Sequence, residues 1–226
     1  MPAAVSTISV LDAAGTPVAG GVRAIDESGA GAGPWQTAFT WLGLAAPAPY
    51  QARVDYDGAV AVKQPLVDIT ATFNRPADTT AYAVGDLVAN STTAGSVTAM
   101  QATGVARADQ AGCRSFYIRQ CRLSKSGASI TNATFRVHLY KTSPTPANGD
   151  NGAWSTTRAG YLGSFDVIMD RAFTDGASGI GTPNAGLEIA GQLASGTTVY
   201  ALIEARGAYT PASAETFTVE LSVFQG

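Results

Sequence analysis

Apolar and polar residues alternate along much of the second half of the chain, and this alternation is typical of half-buried β-strands. Residues 216–223, TFTVELSV, place an apolar side chain at every second position, and residues 134–140, TFRVHLY, repeat the pattern. Residues 198–205, TVYALIEA, are apolar on both faces, which predicts a strand covered on both sides. The three segments together predict a sheet packed against a hydrophobic core.

Further strands are predicted where apolar-rich runs lie between turn-forming residues. They are residues 67–73, 86–89, 96–103, 114–123 and 162–168. Turn chemistry, meaning clusters of Gly, Asn, Asp and Ser, occurs at residues 125–127, 148–152, 174–176 and 194–196. The glycine-rich residues 176–181 are predicted to be a loop, and residues 183–190 favour at most one short helical turn. The chain is therefore predicted to be all-β.

The lengths of the strands and of their connections predict a β-sandwich of jelly-roll type. Strands of about eight to ten residues are joined by both short turns and long loops, whereas an up-and-down barrel uses short turns throughout. The longest connection, residues 141–160, contains both Pro and Gly. We expect it to carry the chain from one sheet to the other.

The first 64 residues differ from the rest. Their predicted strands, residues 6–11, 51–56 and 59–62, are separated by stretches rich in Gly, Ala and Pro. A segment of this composition makes a poor core by itself. We expect residues 1–64 to form an extended arm or a small β subdomain, followed by the sandwich over residues 65–226. The large aromatic residues of the arm are candidate interface anchors, and they are Trp35, Phe39, Trp41 and Tyr50.

The two cysteines, Cys113 and Cys121, are predicted to be free thiols. They lie eight residues apart in one extended segment, and eight extended residues span about 26 Å, which is beyond the reach of a disulfide. Their even spacing places them on the same face of the strand. Neither a CxxC motif nor a nearby histidine accompanies them, so both are interpreted as small buried apolar residues.

Composition affects this interpretation mainly through charge. Only 14% of the residues are charged and the formal net charge is −3, whereas about a quarter of residues are charged in an ordinary protein. A surface of small neutral polar groups loses little hydration energy when another protein covers it. No run of Lys or Arg suggests nucleic-acid binding, and no stretch is apolar enough to span a membrane. Residues 1–10 lack the features of a signal peptide, so synthesis in a cytoplasm is expected.

Candidate chemistry is sparse. The single histidine, His138, falls on the polar positions of its strand, which favours a surface or interface residue over a catalytic one. No nucleophile elbow, zinc-protease motif or phosphate-binding loop occurs in the sequence. Asp150, Asp166 and Asp170 offer oxygen ligands but lack the spacing of a calcium loop. We therefore expect no catalytic residue, no cofactor and no metal site.

Arginines are concentrated on one predicted strand. Arg114, Arg119 and Arg122 fall there, and Arg136 is expected on the next strand. Arginine is enriched at interfaces because its guanidinium presents several donors and is weakly hydrated. The cluster is therefore either an interface patch or a solvated face paired with Asp and Glu, and the sequence favours neither.

Residues 75–90 read RPADTTAYAVGDLVAN, and this segment resembles one that recurs in small virion structural proteins of tailed bacteriophages. Residues 148–155 (NGDNGAWS), 160–167 (GYLGSFDV) and 200–223 (YALIEARGAYTPASAETFTVELSV) resemble the same family. The resemblance covers roughly residues 66–226 and carries no catalytic residue. Within the first segment, Tyr82 is expected to fill a gap with its ring, while Gly85 turns the chain into the following strand.

The resemblance implies a non-enzymatic capsid decoration, or cement, protein. Such a protein would bind the major capsid protein on the outside of the head, across subunit junctions, after synthesis in the host cytoplasm. Three-fold positions are common junctions on an icosahedral lattice, and a closed cyclic assembly fits them, so a homotrimer is expected. The alternative is a tail, collar or fibre component, including a receptor- or carbohydrate-binding module. Neither a nucleic acid nor a membrane is an expected partner.

Overall fold

The computed structural model describes residues 66–108, 114–184, 186 and 188–226. These residues form eleven strands and one short 3-10 helix, Ala94–Ser96. The strands are β1 (Leu66–Asn74), β2 (Leu87–Val88), β3 (Met100–Thr103), β4 (Ser115–Lys125), β5 (Thr134–Tyr140), β6 (Tyr161–Ile168), β7 (Arg171–Phe173), β8 (Gly176–Pro183), β9 (Ile189–Gln192), β10 (Thr198–Ala205) and β11 (Thr216–Gln225). The prediction for residues 1–64, with Trp35, Phe39, Trp41 and Tyr50, lies outside the described residues.

The all-β prediction is confirmed, and so are the alternating strands. In β11 the four apolar residues at every second position, beginning with Phe217, are fully buried, while the residues between them are half-buried. In β10 both faces are covered, because Val199 and Ile203 face the core while Leu202 on the opposite face is also buried.

All strand pairs are antiparallel, and the eleven strands form one curled sheet that resembles half a barrel. The order along the sheet is β1-β11-β4-β8-β6-β5-β10-β2, with β3, β7 and β9 pairing beside this path. Strand β8 joins the two halves, because residues 177–181 pair with β4 whereas Thr182 and Pro183 pair with β6.

The two halves of the sheet face each other across one hydrophobic core. Phe135 of β5 packs edge-on against Phe217 of β11, with the ring centroids 5.3 Å apart, although several strands separate them along the sheet. Both rings are fully buried, and burying a phenylalanine contributes about 1.5–3 kcal/mol. The curl of the sheet is thus stabilised by packing across its interior.

The expectation for residues 141–160 is wrong. Strands β5 and β6 are direct neighbours, paired from Thr134 with Ile168 to Tyr140 with Tyr161, so the long connection returns the chain to the adjacent strand. It extends away from this pair to dock on β2, where the amide of Asn151 donates to the carbonyl of Leu87 at 2.9 Å. Its length serves this docking rather than a crossover between sheets.

The loop predicted over residues 176–181 is strand β8, and the helical turn suggested for residues 183–190 is not formed in the described part of that segment. Glycine is needed in β8 because neighbouring backbone passes very close to it. A Cβ atom on Gly179 would lie 2.0 Å from the carbonyl oxygen of Ile168. The glycines of residues 176–181 reflect close backbone packing within a strand, whereas their abundance in the sequence is typical of a loop.

We expect Gly179→Ala to lower the free energy of unfolding by about 1–3 kcal/mol, since the added methyl group must displace backbone atoms. Gly95→Ala is the matched control, because a Cβ on Gly95 would meet no atom within 4 Å. Urea unfolding of both variants measures the difference. Equal stability of the two variants would contradict the close approach of β8 to Ile168.

A β-bulge interrupts β4, the strand that contains Cys121. Gln120 pairs with Ser222 and Ile118 pairs with Val223, which leaves Arg119 as the extra residue. The bulge shifts the alternation within β4, so that Phe116 and Ile118 before it and Cys121 and Leu123 after it are all buried. Cys121 is free and fully buried, and burial raises the pKa of its thiol, with a further contribution from Glu220. Cys113 lies outside the described residues.

Candidate functional site

Two segments singled out in the sequence, residues 75–90 and 148–155, meet in space. In the first of them Gly85 adopts a φ of 92°, a conformation that favours glycine, and the chain then enters β2 as expected. The loop of residues 148–152 packs on β2, and the amide of Leu87 donates to the carbonyl of Gly152 at 2.8 Å. Tyr82 is buried, as predicted.

A buried ion pair connects residues 75–90 to residues 148–155. Arg75 Nη2 lies 2.8 Å from Asp150 Oδ2, and both side chains are fully shielded from solvent. Asp150 Oδ1 accepts hydrogen bonds from the Tyr82 hydroxyl and from the amide of Ala89, each at 2.7 Å. Arg75 Nε also contacts the Tyr82 hydroxyl. Asp150, considered above as a possible metal ligand, is thus engaged by protein donors on both oxygens.

A second buried ion pair lies beside the first. Lys125 Nζ lies 3.1 Å from Glu215 Oε1 and donates to the Tyr209 hydroxyl at 2.8 Å. The Tyr209 and Tyr82 rings are nearly parallel, with centroids 6.5 Å apart. Burial raises the pKa of both tyrosines well above the ordinary range, so both hydroxyls stay protonated and can donate. These groups hold the fold together and are not presented to a partner.

The outer surface of β1, β11, β4, β8 and β7 is the first exposed candidate site, and we call it the hydroxyl face. It consists of Asp68, Thr70 and Thr72 of β1, Thr216, Thr218, Glu220 and Ser222 of β11, Arg122 and Ser124 of β4, Ser178 and Ile180 of β8, and Arg171 and Phe173 of β7. Seven of these thirteen side chains carry hydroxyl groups, and two acidic residues balance two basic residues.

Many polar groups of the hydroxyl face satisfy one another across strands. Thr72 and Thr218 share a hydrogen bond of 3.0 Å, and the Ser222 hydroxyl donates to Asp68 at 2.7 Å. Two apolar side chains, Phe173 and Ile180, are exposed by 53% and 54%. Phe173 borders a shallow groove of about 390 Å³ that Ser124, Thr216 and Thr218 also line.

The three arginines predicted as interface residues, Arg114, Arg119 and Arg122, differ in their surroundings. Arg122 lies on the hydroxyl face and pairs with Glu220 at 2.6 Å. Arg119 is exposed at the bulge of β4, and Arg114 precedes the strand with its Nε buried and without a hydrogen-bond partner. Arg136 lies on β5, the next strand of the chain, as expected, but β8 and β6 separate β5 from β4 in the sheet.

The outer face of β6, β5 and β10 carries a second candidate site, the His138 cluster, made of His138, Trp154, Tyr161, Glu204 and Arg206. His138 Nε2 lies 2.9 Å from Glu204 Oε2, and Arg206 Nη1 donates to Glu204 Oε1 at 2.9 Å. The Trp154 ring stacks on the imidazole with centroids 4.1 Å apart. His138 is only 8% exposed, because Trp154 of the 141–160 connection stacks on it. Of the two roles expected for it, surface residue or interface residue, the first is therefore wrong and the second stays a prediction.

The described residues contain no group of three or more His, Cys, Asp or Glu side chains that could hold a metal ion. Among the helices of that same part of the chain, none is long and apolar enough to cross a membrane. Comparison of the chain with protein-family models, with curated proteins and with solved structures finds no match.

Proposed function

We propose that this chain is a non-enzymatic capsid decoration protein of a tailed bacteriophage. It binds the major capsid protein on the outer surface of the head, across subunit junctions, and stabilises the shell. The observation that supports this proposal is the hydroxyl face, a neutral outer surface with seven hydroxyl groups and two exposed apolar side chains.

The hydroxyl face fits attachment to protein because dehydrating it costs little. Its hydroxyl groups and ion pairs already satisfy one another across strands, so few strongly hydrated groups lose their partners when it is covered. Phe173 and Ile180 supply the apolar anchors that concentrate binding energy at such surfaces. Repeating a contact of this kind over many lattice positions stabilises a shell through mass action and avidity.

The segments that resemble phage virion proteins are consistent with a structural role. Arg75, Tyr82 and Asp150 use their polar groups within the fold. As finer parts of the proposal, the curled sheet is a jelly-roll sandwich, the protein is a homotrimer at three-fold positions, and residues 1–64 form an arm or a small β subdomain.

Thr218→Arg tests the proposal, because it places a long, charged side chain in the groove beside Phe173. We expect binding to decoration-free particles of the encoding phage, measured by co-sedimentation, to weaken at least about tenfold, or about 1.4 kcal/mol. Thr157→Arg introduces the same charge at an exposed position off the hydroxyl face and should bind like the parent chain. Circular dichroism confirms that both variants remain folded.

Two results would contradict the proposal. If Thr218→Arg saturates the particles as well as Thr157→Arg does, the hydroxyl face is not the attachment surface, and loss of binding in Trp35→Ala or Trp41→Ala would assign attachment to residues 1–64. If quantitative mass spectrometry of the virion finds tens of copies rather than hundreds, the chain is a tail, collar or fibre component.

A further inference from the structure

Strand β1 forms one edge of the curled sheet and lacks the features that usually protect such an edge. Among the described strands it pairs with β11 alone. Soluble proteins protect an edge strand with lysine, proline, a bulge or a very short length. Strand β1 is nine residues long, contains neither Lys nor Pro, and keeps a one-to-one register with β11 throughout. An edge of this kind is suited to pairing with a further strand.

The hydrogen bonds at the end of β1 identify the backbone groups that face this edge. The amide of Arg75 donates to the carbonyl of Glu215 at 2.9 Å, and the two residues continue the register of β1 with β11. Antiparallel strands exchange hydrogen bonds at every second pair, so the odd-numbered residues of β1 bond to β11. The even-numbered residues therefore direct their amides and carbonyls away from β11, and these residues are Leu66, Asp68, Thr70, Thr72 and Asn74.

The inward-facing side chains of β1 are incompletely covered. Val67, Ile69 and Phe73 are half-buried, whereas the apolar residues of β11 beside them are fully buried. A groove of about 280 Å³ lies next to them, lined by Ala71 and Phe73 on one side and by Met100 of β3 on the other. A further strand beside β1 would cover these side chains and bring apolar groups into the groove.

We propose that β1 pairs with β1 of a second copy of this chain, antiparallel and about a two-fold axis at Thr70. Thr70 is the middle residue of the strand, and its backbone groups face the free edge. Pairing Thr70 with the second copy's Thr70 therefore aligns the two strands over their whole length. Each edge-facing amide and carbonyl then has a hydrogen-bond partner in the other copy.

The side chains fit this register. Asp68 is the one charged residue of β1, and it falls opposite the second copy's Thr72, so like charges do not meet. On the inner side Ile69 falls opposite Ala71, and a large side chain thus meets a small one beside the groove. Moving the axis to Asp68 would shorten the overlap and place two carboxylates opposite each other, which is unfavourable.

The pairing would continue the sheet, and with it the hydroxyl face, from one copy into the next. It rests on strand β1 and not on attachment to a capsid, so the two proposals are tested separately. A two-fold contact at one edge is compatible with a three-fold contact made by another surface. In solution it would join two monomers or two trimers.

Disulfide cross-linking of the full chain tests the pairing at its centre. Thr70→Cys is made in a Cys113→Ser background, which leaves Cys121, a buried thiol, as the native cysteine. The Cα atoms of a hydrogen-bonded antiparallel pair lie about 5.5 Å apart, which is within the reach of a disulfide. We expect mild oxidation to give a covalent dimer on a non-reducing denaturing gel.

Thr218→Cys in the same background is the matched control. Thr218 lies on the same face of the sheet but on β11, one strand away from the edge. In the proposed pair the two β11 strands are three strand spacings, about 14 Å, apart, so we expect no cross-link. Copies that associate through their hydroxyl faces would instead be cross-linked at this position.

Charged residues at Thr72 test the register. Thr72→Lys places an ammonium group opposite the second copy's Asp68, whereas Thr72→Asp places a carboxylate there. Both variants remove the same hydroxyl group and its hydrogen bond to Thr218, so they control for each other. We expect the lysine variant to self-associate about tenfold more tightly than the aspartate variant, measured by analytical ultracentrifugation.

Three results would overturn the proposal. They are the absence of a covalent dimer with Thr70→Cys, equally ready cross-linking of Thr218→Cys, and equal self-association of the two Thr72 variants. Without a dimer of Thr70→Cys, the edge of β1 is not a contact between copies. None of these results decides whether the hydroxyl face binds capsids, because that proposal is tested by co-sedimentation with particles.

Discussion

Asp150→Asn is expected to lower the free energy of unfolding by about 3–5 kcal/mol, the usual cost of removing one partner from a buried ion pair. The substitution preserves shape but leaves the buried Arg75 guanidinium with only the longer, partly exposed contact to Asp78, at 3.4 Å, as a counter-charge. Asparagine keeps one oxygen, so its amide nitrogen must face either Arg75 or the donors of Tyr82 and Ala89, and one set of donors loses its acceptor. For a chain of this size the loss corresponds to about 6–20 °C in the thermal midpoint.

Glu220→Gln is the control, because it removes one partner of an ion pair that lies at the surface. Arg122 and Glu220 lie 2.6 Å apart, as close as a buried pair, but their side chains are 49% and 30% exposed. Such a pair contributes about 0–1 kcal/mol. Urea unfolding followed by fluorescence measures both variants. If Asp150→Asn were no less stable than Glu220→Gln, the junction between residues 75–90 and 148–155 would not depend on its ion pair.

The strands were predictable because their alternation reflects contact with a single core. Phe217 and Val219 face the interior, and Thr218 faces outward, as the pattern of β11 predicts. A side chain's inside or outside position needs only local information when one face of a strand is buried. The same information identified a polar outer surface on β11, which became part of the hydroxyl face.

What could not be predicted depends on which strands are neighbours. Arg122 and Arg136 lie on consecutive long strands in the sequence, yet β8 and β6 separate those strands in the sheet. His138 has the polar spacing of an exposed residue, but Trp154, sixteen residues further along the chain, stacks on it and buries it. Gly179 belongs to strand β8, where the Ile168 backbone lies too close for any side chain. Each outcome is set by contacts between residues far apart in sequence.

The second large effect concerns the ion pair of Lys125 and Glu215. Lys125→Met should lower the free energy of unfolding by about 3–5 kcal/mol, because Glu215 stays buried without its cation. Glu215 still accepts from the Tyr209 hydroxyl, since both carboxylate oxygens lie 2.7 Å from it. One neutral donor does not offset the desolvation of a carboxylate.

Replacing Lys125, Tyr209 and Glu215 together by apolar residues should restore stability. In Lys125→Met/Tyr209→Phe/Glu215→Leu no buried charge or hydroxyl remains unpaired, and replacing a buried ion pair by apolar residues is often neutral or stabilising. We expect the triple variant to recover most of the loss seen in Lys125→Met, by the same urea measurement. A triple variant as unstable as the single one would contradict this expectation. It would mean that Lys125 acts through contacts that the triple variant does not replace, namely its hydrogen bond to the carbonyl of Gly127, at 2.6 Å, and its position over the Tyr209 ring, 4.7 Å from the centroid.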